Sequence, residues 1–456
     1  MTKRLEIQEG PVRWRLRHGS NVDTVRPLLR RALDSLASGE TPNIKVGRRK
    51  ELYRLTLTDR DTPDYLLKVN RYPLDRHILG RRRISKTRHE MTVAEQLAQR
   101  GLATPLPLAA GDQHEDGRLV ACFLLVPILD DVVDLLQLWL SGELTMAEKH
   151  ALARELGSYV RRMHDTGLFQ DDFAPNNFLV RRSDPMELFA IDFERAVMRS
   201  RASNRARRWM IAKLDRGMAR TSTTDRMRFL RHYAAGDRNK TRYWWQTVSA
   251  LAPRLARRDC RRMHANARRG GGRFRSIAGN RCTGYARIDV TDATLEHALA
   301  NQDVGEGVRV ASSDSIWITP LIQTSLKQLG RAWGAANALA LRGLCPVPLG
   351  AVCHDSKAFM LLRRNDKASL LTDAQPNDAT GGALRALFER LFGYGDVGDT
   401  LDAEGIVVEP TSSGSVRAFL LNVQCFRFGS TKVRTPSQRV TNTVVRLMRE
   451  LQLRKR

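Results

Sequence analysis

Cysteine is scarce and scattered. Only Cys122, Cys260, Cys282, Cys345, Cys353 and Cys425 occur in 456 residues, with no C-x-x-C pair and no matching histidine spacing. Neither a disulfide framework nor a zinc site is therefore expected to organise the fold. The N-terminal segment MTKRLEIQEGPVRWRLRHG has no apolar h-region, so no secretory signal is expected. No apolar run is long enough to span a bilayer, since the longest, Leu119 to Leu129, stops at Asp130-Asp131. The expected setting is the reducing cytoplasm. Acidic residues are also in deficit, leaving a formal charge of +27, and residues 201–275 hold 22 Lys/Arg against 4 Asp/Glu. Part of that excess reads as solvated helix faces. Its density still creates a field that attracts anions, whether nucleic acid, anionic lipid or a phosphorylated glycolipid. A chain of this length is expected to form two or three domains.

The chemistry is concentrated between His164 and Glu194, HDTGLFQDDFAPNNFLVRRSDPMELFAIDFE. A helical stretch ends at Gly167, a loop supplies Asp172, and Asn177 opens the apolar run Phe178-Leu179-Val180. A second apolar run, Leu188 to Ile191, delivers Asp192-Phe193. This is the layout of a phosphotransferase catalytic loop followed by a metal-binding strand end. An Asp accepts the proton of an attacking hydroxyl, while an Asn and a second Asp ligate the magnesium ion between the ATP phosphates. Two pairs fit the five-residue spacing, Asp171 with Asn176 and Asp172 with Asn177. The second is preferred because Asn177 directly precedes the strand and Gly167 lies five residues before Asp172.

Upstream, residues 1–75 read as short strands and turns, with Lys68 inside the strand pattern Leu66-Leu67-Lys68-Val69. A helix predicted from Thr87 to Arg100 carries Glu90 on its first turn and stops at Gly101 before a Pro-rich segment. A strand Lys holding phosphates and a helix Glu orienting it complete the phosphotransferase set. The turn that would cover the phosphates, VGRRKELYRL, offers only Gly47. Arg48, Arg49 and Lys50 read either as meeting phosphate directly there, by charge and hydrogen bonding, or as solvated turn residues. Leu119 to Pro127 reads as a buried strand entering a hinge at Val126. Residues 145–164 show helical apolar spacing, and the chain after Asp192 reads as helical and basic. Residues 261–276, rich in Arg and Gly, read as a linker.

On these residues the chain resembles the lipopolysaccharide kinase family (Kdo/WaaP type). The resemblance covers roughly residues 40–250 and rests on RRRISKTRHE, GLATPLPLA, the Asp172…Asn177 loop, IDFERA and DRMRFLRHY. It implies an α+β, bilobal protein-kinase-like domain over 1–260, with an N-lobe to about 126 and a C-lobe from about 127. It also implies ATP- and Mg2+-dependent phosphorylation of an inner-core lipopolysaccharide sugar, on the cytoplasmic face of the inner membrane. Lys68, Gly47 and Val126 would contact nucleotide, Glu90 would pair with Lys68, Asp172 would be the base, and Asn177 with Asp192 would hold metal. Two departures stand out. Gln170-Asp171-Asp172 replaces the usual His-Arg-Asp or His-Gly-Asp, removing an anchor for a phosphorylated activation loop and a hydrogen-bonding prop. Glu194 occupies the place of a Gly after Asp-Phe.

Residues 277–456 read as a degenerate, pseudokinase-like copy. RGLCPVPLGA (342–351) echoes RGLATPLPLA (100–109), and GIVVE and AFLLNVQ echo NFLVR and LFAIDFE. On that overlay Thr400 replaces Asp172, Gly405 replaces Asn177, Asn422 replaces Asp192, and the Glu90 position falls near Ala332 with no Lys at the counterpart of Lys68. The partners expected are the lipopolysaccharide core and an anionic membrane surface, with no specific nucleic acid. Competing readings are the same fold acting on another acceptor, a small molecule or a protein, and a membrane- or nucleic-acid-bound scaffold with a decayed site.

Overall fold

The computed structural model describes residues 5–38, 43–46, 50–56, 64–72, 85–141, 143–218, 221–270, 273–278, 282–300, 309–310, 316–321, 325–354, 357–365, 367–392, 395–397, 401, 403–410, 416–421, 423, 426–428 and 437–454. These divide into two units, Met1–Ala252 and Pro253–Arg456.

The first unit opens with β1 (Glu6–Glu9), β2 (Val12–Leu16), α1 (Val22–Ser38), β3 (Asn43–Val46), β4 (Lys50–Leu55), β5 (Tyr65–Arg71), α2 (Lys86–Gln99), β6 (Ala109–Glu115) and β7 (Arg118–Pro127). The strands form one antiparallel sheet in the order β1-β2-β6-β7-β5-β4-β3. Alternation along β5 sorts the two faces. Leu67 and Val69 join Trp14, Leu29, Phe123 and Leu125 in a core that includes α1. Lys68 and Asn70 take the opposite face, where Met91 of α2 packs on Ala110 and Leu124. Helix α1 departs from the expectation of strands and turns before residue 75. Pro27 and five charged side chains obscured a pattern whose buried members are Val25, Leu29 and Ala32.

The second lobe comprises β8 (Val132–Asp134), α3 (Leu135–Ser141), α4 (Met146–Asp165), β9 (Leu168–Gln170), a 3-10 turn (Pro175–Asn177), β10 (Phe178–Arg181), β11 (Glu187–Ala190), β12 (Ala196–Met198), α5 (Asn204–Gly217), α6 (Thr223–Tyr233) and α7 (Arg238–Arg269). A Thr145/Glu148 capping box starts α4. At its far end Gly167 has φ +83°, and a Cβ there would lie 1.9 Å from the Arg199 carbonyl oxygen. Only glycine fits that approach. The unit is a bilobal, kinase-like α+β fold.

The second unit contains β13 (Phe274–Ala278), β14 (Cys282–Arg287), α8 (Asp292–Ala300), β15 (Arg309–Val310), β16 (Ile316–Leu321), α9 (Leu326–Ala340), β17 (Pro348–His354), β18 (Lys357–Arg363), β19 (Ser369–Leu370), α10 (Asp378–Phe392), β20 (Gly395–Val397), a 3-10 turn (Ala403–Gly405), β21 (Ile406–Pro410), β22 (Val416–Leu420), β23 (Phe426–Phe428) and α11 (Ser437–Arg454). Its large sheet runs β13-β14-β17-β18-β16-β15, the order of the first sheet with one edge strand fewer. β19-β21-β22 repeats β8-β10-β11, and β20 pairs with β23 as β9 does with β12. The bond from Leu421 N to Gly405 O, 2.8 Å, has its counterpart in Ile191 N to Asn177 O, 2.9 Å. Within the stretch read as a linker, residues 261–269 continue α7, with Ala267 and Met263 packed in the second unit's core, and β13 begins at Phe274. Burial of one side of α7 orders a segment whose arginines suggested none.

Register fixes which residues correspond. In the first unit Val133 pairs with Val180, and Lys68 pairs with Leu124. In the second, Ser369 pairs with Val408, and Thr319 pairs with Met360. The interval from Leu124 to Val133 equals that from Met360 to Ser369, so Thr319 stands at the place of Lys68. It is 3% exposed. Ala332, which the sequence overlay sets near the place of Glu90, is buried on α9. Gly405 ends the 3-10 turn where Asn177 ends the first, whereas Thr400 and Asn422 lie outside the described residues.

Candidate active site

Strand β5 and helix α2 bring Lys68 against Glu90, Nζ to Oε2 at 2.6 Å, with both side chains under a tenth exposed. Ser85 caps α2 by accepting from Arg88 N, which sets the helix start and the height of Glu90. Asp192 reaches the same ammonium, Oδ1 at 3.0 Å, and Glu194 Oε1 lies 2.5 Å from it. Asp192 has φ +64°, a left-handed conformation that Asp tolerates better than most residues. Three carboxylates thus surround one buried lysine. Burial opposes the charge of Lys68, but Glu90, Asp192 and Glu194 outweigh it and raise the pKa of its ammonium. Burial likewise opposes ionisation of Asp192 and Glu194, yet Lys68 and Lys50 hold both carboxyls below their ordinary range. Glu90 is pushed the other way, because its burial exceeds the pull of Lys68.

The catalytic-loop candidates form a second group. Asn177 is buried and its Nδ2 donates to the Asp172 carbonyl oxygen at 2.6 Å, which pins the loop between them. Asp172 is exposed, and its carboxylate has no partner among the described residues. Asp171 is engaged elsewhere. Its carboxylate accepts from Lys213 of α5 at 2.9 Å, Lys213 also donates to its carbonyl oxygen, and the ammonium lowers the Asp171 pKa. Asn176 is exposed. Of the two acid–amide pairs, only Asp172 with Asn177 therefore combines a free carboxylate with a fixed amide.

The loop is tied to Asp192 in two places. Ile191 N donates to Asn177 O, and Gln170 Nε2 donates to the Asp192 carbonyl oxygen at 2.9 Å. Gln170 supplies the hydrogen-bonding prop whose loss was expected from the missing histidine; an amide N–H serves as well as a ring N–H. Tyr159 of α4 accepts from Ala190 N at 3.0 Å and donates to the Ala103 carbonyl, holding the end of β11 in place. Val126 stands opposite Leu66 in the β5–β7 ladder, on the Lys68 face. Gly47 lies outside the described residues. Glu194, Gln170 and Lys213 were not among the sequence candidates, whereas Lys50 was read, with Arg48 and Arg49, either as a direct phosphate contact or as a solvated turn residue. Lys213 carries no local signal because its partner is 42 residues away.

A buried Lys–Glu pair, an Asp at a strand end and an Asp/Asn loop on a bilobal fold define the kinase-like phosphotransferase class. The model of the Lipopolysaccharide kinase (Kdo/WaaP) family matches residues 61–233, the part of the chain that carries Lys68, Glu90, Asp172, Asn177 and Asp192. The chain resembles that family over this stretch. Among solved structures, one described as WaaP in complex with acyl carrier protein is 21% identical, covering 48% of this chain and 92% of that one with a TM-score of 0.36. A search of curated proteins gave no match.

Proposed function

We propose that the first unit is an ATP- and Mg2+-dependent kinase that phosphorylates a sugar hydroxyl of the lipopolysaccharide inner core. The observation that carries this reading is the convergence of Lys68, Glu90 and Asp192 within 3.0 Å contacts, joined by backbone bonds to the Asp172–Asn177 loop. Lys68 holds nucleotide phosphates and Glu90 orients it, while Val126 lines the nucleotide side. Asp172, with its carboxylate free, accepts the acceptor hydroxyl's proton. Oxygen donors of the kind a hard cation takes gather here: carboxylate oxygens of Asp192, Glu194 and the Lys68-bound Glu90 lie within 4.8 Å of one another. Asn177 and Asp192 would hold magnesium, which supplies neutralisation of phosphate charge.

Among the described residues no helix is long and apolar enough to cross a membrane. Access to a glycolipid would come from peripheral docking at the inner face of the inner membrane. A groove between α6 and α7 supports this. It is lined by Arg228, Arg231, Arg238 and Arg242 together with Met227 and Trp245. Asp225 engages Arg228 at 2.9 Å, whereas the other three arginines have no partner among the described residues. The second unit, with Thr319 and Ala332 where the first has Lys68 and Glu90, is read as a pseudokinase-like partner domain.

The test is transfer of labelled γ-phosphate from ATP to dephosphorylated core lipopolysaccharide. Wild type is expected to label the glycolipid, and Asp172→Ala to lower turnover roughly 10²–10⁴-fold with ATP binding retained. Full turnover by Asp172→Ala would remove the assigned base.

A further inference from the structure

We propose that Lys50 is a second phosphate-binding ammonium of the nucleotide site, supplying by charge what a glycine-rich turn supplies through its backbone. This rests on the kinase reading of the first unit and names a residue which that reading does not use. Lys50 opens β4 directly opposite Asn70, and Leu52 lies opposite Lys68. Directly paired residues share a face and alternate residues return to it. Lys50, Asn70 and Lys68 therefore occupy the same side of the sheet, the side that carries α2. Lys50 Nζ lies 3.2 Å from Asp192 Oδ2 and 3.1 Å from Glu194 Oε1. The two lysines thus grip the same two carboxylates, Lys68 from Oδ1 of Asp192 and Lys50 from Oδ2.

The two ammoniums differ in depth. The side chain of Lys68 is 6% exposed and that of Lys50 is 37% exposed, which places Lys50 at the mouth of the cluster. Charges balance around them. Glu90, Asp192 and Glu194 face Lys68, Lys50 and the more distant Lys86, 3.8 Å from Glu194. A cation taken up by Asp192 would release Lys50 from that carboxylate toward phosphate oxygens, while Glu90 keeps Lys68 in place. The sequence before Lys50, VGRR, holds a single glycine, Gly47, whereas backbone cradles for phosphate are built on several. A merely structural ion pair at a part-exposed position would contribute little.

The experiment uses the full chain and a fluorescent ATP analogue with MgCl2, displaced by ATP, ADP or adenosine, with thermal melts of each variant. Lys50→Met is expected to weaken ATP and ADP roughly 10–100-fold, the loss of one charge-assisted contact. Adenosine, which has no phosphate, should compete as it does against wild type. Lys50→Arg should restore ATP affinity to within roughly threefold of wild type, since it keeps the charge. Unchanged ATP affinity in Lys50→Met, or an equal loss for adenosine, overturns the assignment. If Lys68→Met loses ATP while Lys50→Met keeps it, the role of Lys50 fails and the kinase reading stands. If wild type binds no ATP, both fall.

Discussion

His164 shows how much of this site depends on one neutral, buried side chain. Its Nδ1 pairs with the Tyr233 hydroxyl at 2.9 Å, joining α4 to α6, and its ring packs 5.7 Å from that of Phe173, the residue after Asp172. Burial, aided by the Arg207 charge, lowers its pKa to about 3. A folded-state value below the unfolded value of 6.5 means that the unfolded chain binds the proton more readily. Its contribution is therefore complete above pH 6.5 and is lost as pH falls from there toward 3. Stability should drop by about 2 kcal/mol from this group alone between pH 6.5 and 5. Urea unfolding at the two pH values measures it, and His164→Gln should flatten the slope even though it lowers stability at both. At this scale the sequence was legible where function imposes fixed spacing. Asp172 and Asn177 are five apart because one loop must hold both, and the free carboxylate with its pinned amide fits that reading. Lys213 and Gln170 were not legible as partners, since they act across 42 and 22 residues of chain.

At the scale of elements, helices gave their ends away through capping chemistry and glycine. Ser85, Thr145, Ser203 and Ser222 each accept a bond from a backbone N–H of the turn they precede. Helix α1 and the last turns of α7 were not read, because their buried residues are small or interrupted by arginine, and only a neighbouring surface shows which side is apolar. The same ambiguity applied to the basic stretch 201–275. The structure divides its arginines into engaged and free ones. Arg207 is bound to Asp165 at 2.8 Å, whereas Arg231, Arg238 and Arg242 line the α6–α7 groove. Changing these three together to Gln should lower binding to vesicles containing anionic phospholipid by roughly 10–100-fold at low salt, at about 1 kcal/mol per residue. Raising ionic strength should weaken wild type toward the variant. Vesicle co-sedimentation checks both, and salt-independent binding would show that charge does not dock this protein.

For the whole molecule, two units carry one kinase-like strand order, but among the described residues only the first pairs a buried lysine with a glutamate. A threonine at the lysine position cannot attract phosphate electrostatically, and an alanine at the glutamate position has nothing to orient. One nucleotide per chain is therefore expected by calorimetry, and Lys68→Met alone should abolish it; a second site surviving that change would place nucleotide in the other unit. The chemistry proposed for the site was read from the sequence, because phosphoryl transfer needs particular side chains at particular separations along a loop and two strand ends. The echo proposed between the halves was likewise read from the sequence, in turns that keep their Gly and Pro. Tertiary structure alone decided which charges meet. Lys50, Lys68, Glu90, Asp192 and Glu194 come from three elements and the segment between β11 and β12, and whether a lysine faces a cleft or solvent depends on strand register and on what packs across the sheet. Neither of these is a property of a residue's neighbours in sequence.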